Sequence, residues 1–196
     1  MAETKGIMIV GVGGQGTLLA SRILGHVLIN RGYDVKMSEV HGMSQRGGSV
    51  VTYVKFGDKV YSPIIDLGEA DYILAFERLE AARYVPYLKK GATLILNDRP
   101  IDPMPVIIGA KQYPQDIVKK LSDKGVSIIA GDALSMAQKA GNSKSVNVVL
   151  IGVLSALADF SEEEWLAALE ACVKPKFLDV NKKAFVLGRG HALNNL

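Results

Sequence analysis

The feature that most constrains this chain is a short apolar run that ends in a cluster of glycines and then gives way to a helical pattern. Gly6-Ile-Met-Ile-Val10 is apolar and continuous, and Gly11-Val-Gly-Gly-Gln-Gly16 follows it at once. A strand buried on both faces of a parallel sheet reads this way. Beyond Gly16, the stripe Leu19, Ile23 and Val27 recurs at helical spacing up to Asn30. Arg22, His26 and Asn30 take another face, which makes His26 a surface residue, and Gly32 closes the helix. Strand, tight glycine turn and helix together form the opening unit of an α/β domain.

The rest of the chain continues the alternation. Strands are expected at 33–40, 71–76, 92–96 and 126–130, and a short one at 106–108. Ser49 to Phe56 is β-branched and aromatic. With Lys59 to Tyr61 across Gly57-Asp58 it predicts a hairpin. Helices are expected from Glu77, over 115–124, from the cap Asp132 to Gly141, and from near Lys176. Asn97 to Pro105 holds three prolines and reads as an extended loop. Ser161 and Glu164 predict a capping box, with Phe160 and Trp165 as its hydrophobic staple. The expected architecture is a Rossmann-like three-layer α/β sandwich: a mostly parallel sheet plus a β-hairpin, forming one domain over residues 1–196.

Composition removes several classes of function. The 23 basic and 20 acidic residues are interspersed, so no basic block is present to track a nucleic-acid backbone. The N-terminal apolar run is too short for a signal peptide or a membrane span, so the cytoplasm is the expected compartment. The one cysteine, Cys172, sits at helical spacing with Ala168 and Leu169 and reads as a small buried hydrophobe. A single thiol cannot bind an iron–sulfur cluster, which takes about four. Val146 to Ala158 is apolar almost all round. Such a helix is either core or a surface for a partner, and in the second case the isolated chain would also self-associate.

Two segments are candidates for chemistry. In the first, Gly11, Gly13, Gly14, Gln15 and Gly16 place backbone N–H groups at a helix N-terminus, where an anion is stabilised. Glu39 ends the second strand 23 residues after Gly16, close to the position of a ribose-binding acid in a dinucleotide site. In the second, His41-Gly42-Met-Ser44-Gln45-Arg46-Gly47-Gly48 is an unusually polar loop. Arg46 offers a planar fork for carboxylate or phosphate, and Gly47-Gly48 a backbone anion nest. Ser44 and Gln45 add hydrogen-bond donors, and His41 can titrate near neutrality. No zinc-protease motif, nucleophile elbow or Walker loop is present. Gly131-Asp132-Ala133 resembles the start of a thiamine diphosphate motif, but no Asn pair follows at the right distance.

Together, Val10-Gly-Val-Gly-Gly-Gln-Gly16 and Ser38-Glu-Val-His-Gly-Met-Ser-Gln-Arg-Gly-Gly-Ser49 resemble the gamma domain of the pyruvate/2-ketoisovalerate (2-oxoacid):ferredoxin oxidoreductases. Within that family they are most similar to the small (beta) subunits acting on indolepyruvate. Lys59-Val-Tyr-Ser-Pro63, Leu74-Ala-Phe-Glu77 and Lys176-Phe-Leu-Asp-Val-Asn-Lys182 extend the likeness over nearly the whole chain. The resemblance implies a heteromeric complex. A large (alpha) subunit would carry thiamine diphosphate and 4Fe–4S clusters, arylpyruvates would be oxidatively decarboxylated to acyl-coenzyme A, and ferredoxin would take the electrons. This chain would bind none of these cofactors alone and would help to form the coenzyme A or active-site environment. Two other readings stand beside it: a free-standing NAD(P)-binding reductase using Gly11–Gly16 and Glu39, and a purely structural subunit.

Overall fold

The computed structural model describes residues 4–42 and 47–195. Six strands form one sheet: β1 (Lys5–Val12), β2 (Asp34–His41), β3 (Ser49–Gly57), β4 (Ala70–Ala75), β5 (Leu88–Asn97) and β6 (Ser127–Gly131). Their spatial order is β2-β3-β1-β4-β5-β6. Only β3 runs antiparallel to its neighbours, so the other five strands point the same way. The carboxyl ends of those five therefore share one edge with the start of β3.

Alternation along β1 shows why it can sit at the centre. Ile7 and Ile9 point into one core, and Met8 and Val10 into the other. All four are at most 2% exposed, so the unbroken apolar run serves two faces at once. On the first face pack α1 (Thr17–Asn30), α5 (Ala133–Ala140), α6 (Val146–Leu157), α7 (Glu162–Cys172) and α8 (Leu178–Leu193). On the second lie α2 (Arg78–Tyr84) and α4 (Ile117–Ser122). The expected mostly parallel three-layer sandwich is therefore the observed fold.

Two local expectations are corrected. The hairpin between 49–56 and 59–61 does not form. β3 pairs with β2 on one side and β1 on the other, so neither edge is left for a third strand. Lys59 to Tyr61 instead runs as a loop, fastened where the Val60 N–H donates to Asp34 Oδ2 at 2.9 Å. The hairpin that exists is β2–β3, across the polar loop. The second correction concerns 106–108, which belongs to a helical turn, α3 (Met104–Ile107), rather than a strand. Pro105 lies in the first turn of that helix, where a missing N–H has no cost, and this offsets the β-branched residues after it.

The apolar helix α6 is core. Asn147 through Ser155 are all buried, and α8 covers the side that the sheet does not. Its apolar girth therefore offers no outer surface for self-association. The two helices cross with their backbones in contact, because Gly152 and Gly188 carry no side chain at the crossing.

The start of α7 is as expected. Ser161 Oγ accepts from the Glu164 N–H, and Glu164 Oε2 accepts from the Ser161 N–H, completing a capping box. Phe160 and Trp165 meet edge to face at 5.9 Å. Arg31, past the end of α1, pairs with Glu164, and with the capping bonds it holds that carboxyl at a pKa of about 2. Ser161→Ala should lower stability by about 1 kcal/mol, the usual value of such a cap, measured by urea denaturation. A variant as stable as the parent would show that the Arg31 contact alone fixes the start of α7.

Candidate functional site

The site is assembled at the carboxyl edge of the sheet. β1 ends at Val12, and the chain turns sharply into α1. Gly14 and Gly16 have φ of 97° and 81°, a region that L side chains rarely enter. Gln15, inside the turn and on the cavity wall, engages both its amide atoms within the fold. Its Oε1 accepts from the Val12 N–H at 2.8 Å, and its Nε2 donates to the Phe76 carbonyl at 3.0 Å. A Cβ on Gly11 would lie 2.6 Å from Gln15 Oε1, so Gly11 makes room for the brace. Gln15 and Gly11 therefore shape the turn. The N–H groups of Gly14, Gly16, Thr17 and Leu18 donate no hydrogen bond within the described residues. They form the anion-attracting start of α1.

The two loops singled out in the sequence do meet. The Gly13 N–H donates to the Gly48 carbonyl at 2.9 Å. Ser49, the next residue, donates from Oγ to Glu80 Oε2 at 2.5 Å and lies 3.4 Å from the Tyr84 hydroxyl. Glu80 is buried, and burial raises its pKa against the opposing effects of Ser49 and Arg83. Gly47 has a φ of 72°, so the chain enters β3 through a left-handed residue. Ser44, Gln45 and Arg46 lie outside the described residues.

The glycine turn forms a ridge between two cavities. The smaller, about 300 Å³, is lined by Gly13, Gly14, Thr17, Glu39 and His41. Glu39 accepts there from Thr52 Oγ1 at 3.1 Å, and His41 Nδ1 lies 3.2 Å from the Gly42 carbonyl. The larger, about 530 Å³, lies between the turn and the ends of β5 and α6. Its walls include Gly14, Gly16, Arg99, Ile101, Leu134 and Lys144. Arg99 and Lys144 make no ion pair with a described residue, so two cations face the α1 N-terminus across an apolar floor. Arg99 acts electrostatically on the Asp132 carboxyl. Hydrogen bonds from Ser135 hold its pKa low, and Arg99 lowers it further. Asp132 is already engaged as the cap of α5.

Sequence reading missed the second cavity. Asn97 ends β5 and Arg99 follows it, at the edge where β1 and β2 also end, so the strand-end rule could have found them. The reading of this stretch as a proline-rich loop obscured it. Asn97 is buried and ties β4 to α5: Nδ2 donates to the Phe76 carbonyl and Oδ1 accepts from the Ala133 N–H, both at 3.1 Å. Glu77 works similarly. It accepts from the N–H groups of Glu80 and Ile101, and from the Tyr113 hydroxyl, whose pKa rises through burial and this contact. Lys144 carries no sequence signal. It is brought in by Asn147, whose Nδ2 donates to the Gly16 carbonyl at 3.0 Å across 131 residues of chain.

Glu39 does not occupy the position of a dinucleotide-binding acid. In that fold the second strand lies beside the first. Here β3 separates them, which moves Glu39 roughly 10 Å from β1 at about 4.8 Å per strand. The NAD-type geometry suggested by the spacing in sequence is absent.

Fold and site together define an α/β protein whose glycine turn lies beside a cavity lined by two cations at the carboxyl edge of its sheet. The chain belongs to the pyruvate ferredoxin/flavodoxin oxidoreductase family, whose model matches residues 6–190. It is 49% identical over 187 residues to the indolepyruvate oxidoreductase subunit IorB of Thermococcus kodakarensis, covering 93% of each chain. It is 38% identical over 192 residues to the IorB subunit of Archaeoglobus fulgidus, covering 96% of this chain and 95% of that one. Among solved structures, the keto/oxoacid ferredoxin oxidoreductase gamma subunit of Geobacter sulfurreducens matches with a TM-score of 0.72 and 25% identity, covering 97% and 99%. A 2-oxoglutarate:ferredoxin oxidoreductase of Magnetococcus marinus, solved with coenzyme A bound, matches with a TM-score of 0.76 and 20% identity. The match covers 98% of this chain and 31% of that one. The chain is thus a gamma-type subunit of an oxoacid oxidoreductase.

Proposed function

We propose that this chain is the small subunit of a heteromeric indolepyruvate (aryl 2-oxo acid):ferredoxin oxidoreductase, and that its carboxyl edge holds the phosphate-bearing end of coenzyme A. The observation that carries this reading is that Arg99 and Lys144 line one cavity with Gly14 and Gly16, whose N–H groups donate no hydrogen bond within the described residues. Two cations and a helix N-terminus suit a multiply charged phosphate ligand. The apolar floor of Ile101, Leu134 and Val146 suits the uncharged body of the same molecule. The Ser44-Gln45-Arg46-Gly47-Gly48 loop, whose Gly48 carbonyl accepts from the Gly13 N–H, would face coenzyme A or the partner's active centre.

Redox chemistry belongs to the large subunit in this reading. The residues present here do not fit an iron–sulfur cluster: the sequence has one cysteine, and among the described residues no group of three His, Cys, Asp or Glu could hold a metal ion. Thiamine diphosphate and the clusters would reside on the partner, with ferredoxin receiving electrons from the complex. No helix among the described residues is long and apolar enough to cross a membrane, and the cytoplasm is the compartment that suits the reading.

The test is a titration of the chain with coenzyme A and with NAD, alone and assembled with its large subunit. Coenzyme A should bind and NAD should not, and the isolated chain should be colourless and without arylpyruvate-dependent dye reduction. Arg46→Ala should weaken coenzyme A use roughly ten- to a hundredfold, the value of one charge-assisted contact, and leave the fold intact. NAD binding at Glu39, or turnover without the partner, would overturn the assignment. Unchanged coenzyme A dependence with weakened assembly would instead move Arg46 to the subunit interface.

A further inference from the structure

We propose that the outer face of α8, with the flanking α5 and α7, seats an acidic, apolar-faced segment of the large partner subunit. The solvent side of an amphipathic helix is ordinarily polar. On α8, however, Val186, Leu187 and Leu193 are 52%, 37% and 56% exposed. Lys183, Val186, Leu187 and Gly190 follow one another at i, i+3, i+4 and i+7, which is a single helical stripe. A groove of about 550 Å³ runs along it, floored by Ala140, Leu166, Val186 and Leu187 and edged by Lys139, Lys182 and Lys183.

The charges on the edge select the occupant. Lys182 is held by Glu170 at 2.5 Å, but Lys139 and Lys183 form no ion pair with a described residue. An apolar strip between two unpaired ammonium groups is complementary to an apolar ridge flanked by carboxylates. A second copy of this chain does not fit. A two-fold interface sets the same patch against itself, which would place lysine against lysine. The inference rests on the heteromeric reading above only in requiring a partner subunit, and it concerns a surface separate from the Arg99–Lys144 cavity.

The experiment uses the assembled complex. Carbodiimide, which joins amines to carboxylates in direct contact, should link Lys139 or Lys183 to an Asp or Glu of the large subunit, as mapped by mass spectrometry. Lys139→Glu with Lys183→Glu should raise the Kd for the partner about tenfold or more. The same variant should keep the melting temperature of the isolated chain, since both side chains are exposed, and Lys139→Arg with Lys183→Arg should restore assembly. Wild-type affinity of the charge-reversed chain, cross-links only between copies of this chain, or no cross-link at either lysine would overturn the proposal. Failure of the coenzyme A reading would show in ligand titration and would leave this assembly assay unchanged.

Discussion

Gly188→Ala and Gly152→Ala should each destabilise the chain by about 3 kcal/mol or more, at or beyond the upper end of ordinary overpacking. A Cβ on Gly188 would lie 2.0 Å from the Val149 carbonyl oxygen, and one on Gly152 would lie 2.2 Å from that of Phe185. Both obstacles are backbone, which no rotamer change can clear. The helices would have to separate, opening the layer where Val148, Val149, Leu154, Ala184 and Phe185 are packed without exposure. Gly190→Ala is the internal control. It lies on the same helix with nothing within 4 Å of its added methyl. There alanine should gain up to about 1 kcal/mol from helix propensity alone. Denaturant melts of the three variants decide the matter, and equal stability of Gly188→Ala and Gly190→Ala would show that α8 can shift without cost.

The second large effect is expected at the basic cavity. Arg99→Ala with Lys144→Ala should weaken coenzyme A binding to the assembled enzyme by about 3 kcal/mol or more, roughly a hundredfold. Each side chain is an exposed cation with no ion-pair partner among the described residues, so neither is needed for the fold. Surface changes of this kind usually move stability by less than about 0.5 kcal/mol. Loss of affinity at unchanged melting temperature is therefore the specific signature. Arg99→Lys should recover part of the loss, because lysine keeps the charge and gives up the paired hydrogen bonds. Binding that is insensitive to the double change would place the phosphates elsewhere, with the Glu39–His41 cavity the next place to look. That second location fits less well, because the Glu39 carboxylate opposes an anion.

The topology also explains why the NAD(P) reading was open from sequence and is not supported by the fold. Glycine spacing and an acid 23 residues later are satisfied by any strand–turn–helix–strand unit. Whether the second strand pairs with the first depends on what comes between them. Here β3 enters antiparallel and pairs with β1 along its whole length, from Lys5–Phe56 to Val12–Ser49. The same insertion brings Gly48 to Gly13 and Ser49 to Glu80, so one topological choice both dismantles the dinucleotide geometry and joins the two loops.

Features legible from the chain alone were local. The apolar run Ile7 to Val10 specifies a strand buried on two faces, because successive side chains must both find apolar surroundings. The glycine turn before Thr17 and the Ser161–Glu164 cap are set by backbone geometry and hydrogen bonds within a few residues. The family likeness was legible for a related reason, since its two loops are contiguous stretches of chain. Contacts between segments far apart emerged only on folding. β3 chose β1 and β2 over Lys59–Tyr61 because two long ladders bury more surface than one short one. Arg99 and Lys144 face one cavity only because Asn147 reaches Gly16 and α6 is driven into the core. Gly152 and Gly188 gain their meaning only when two helices, each ordinary in isolation, cross at the one point where neither has a side chain.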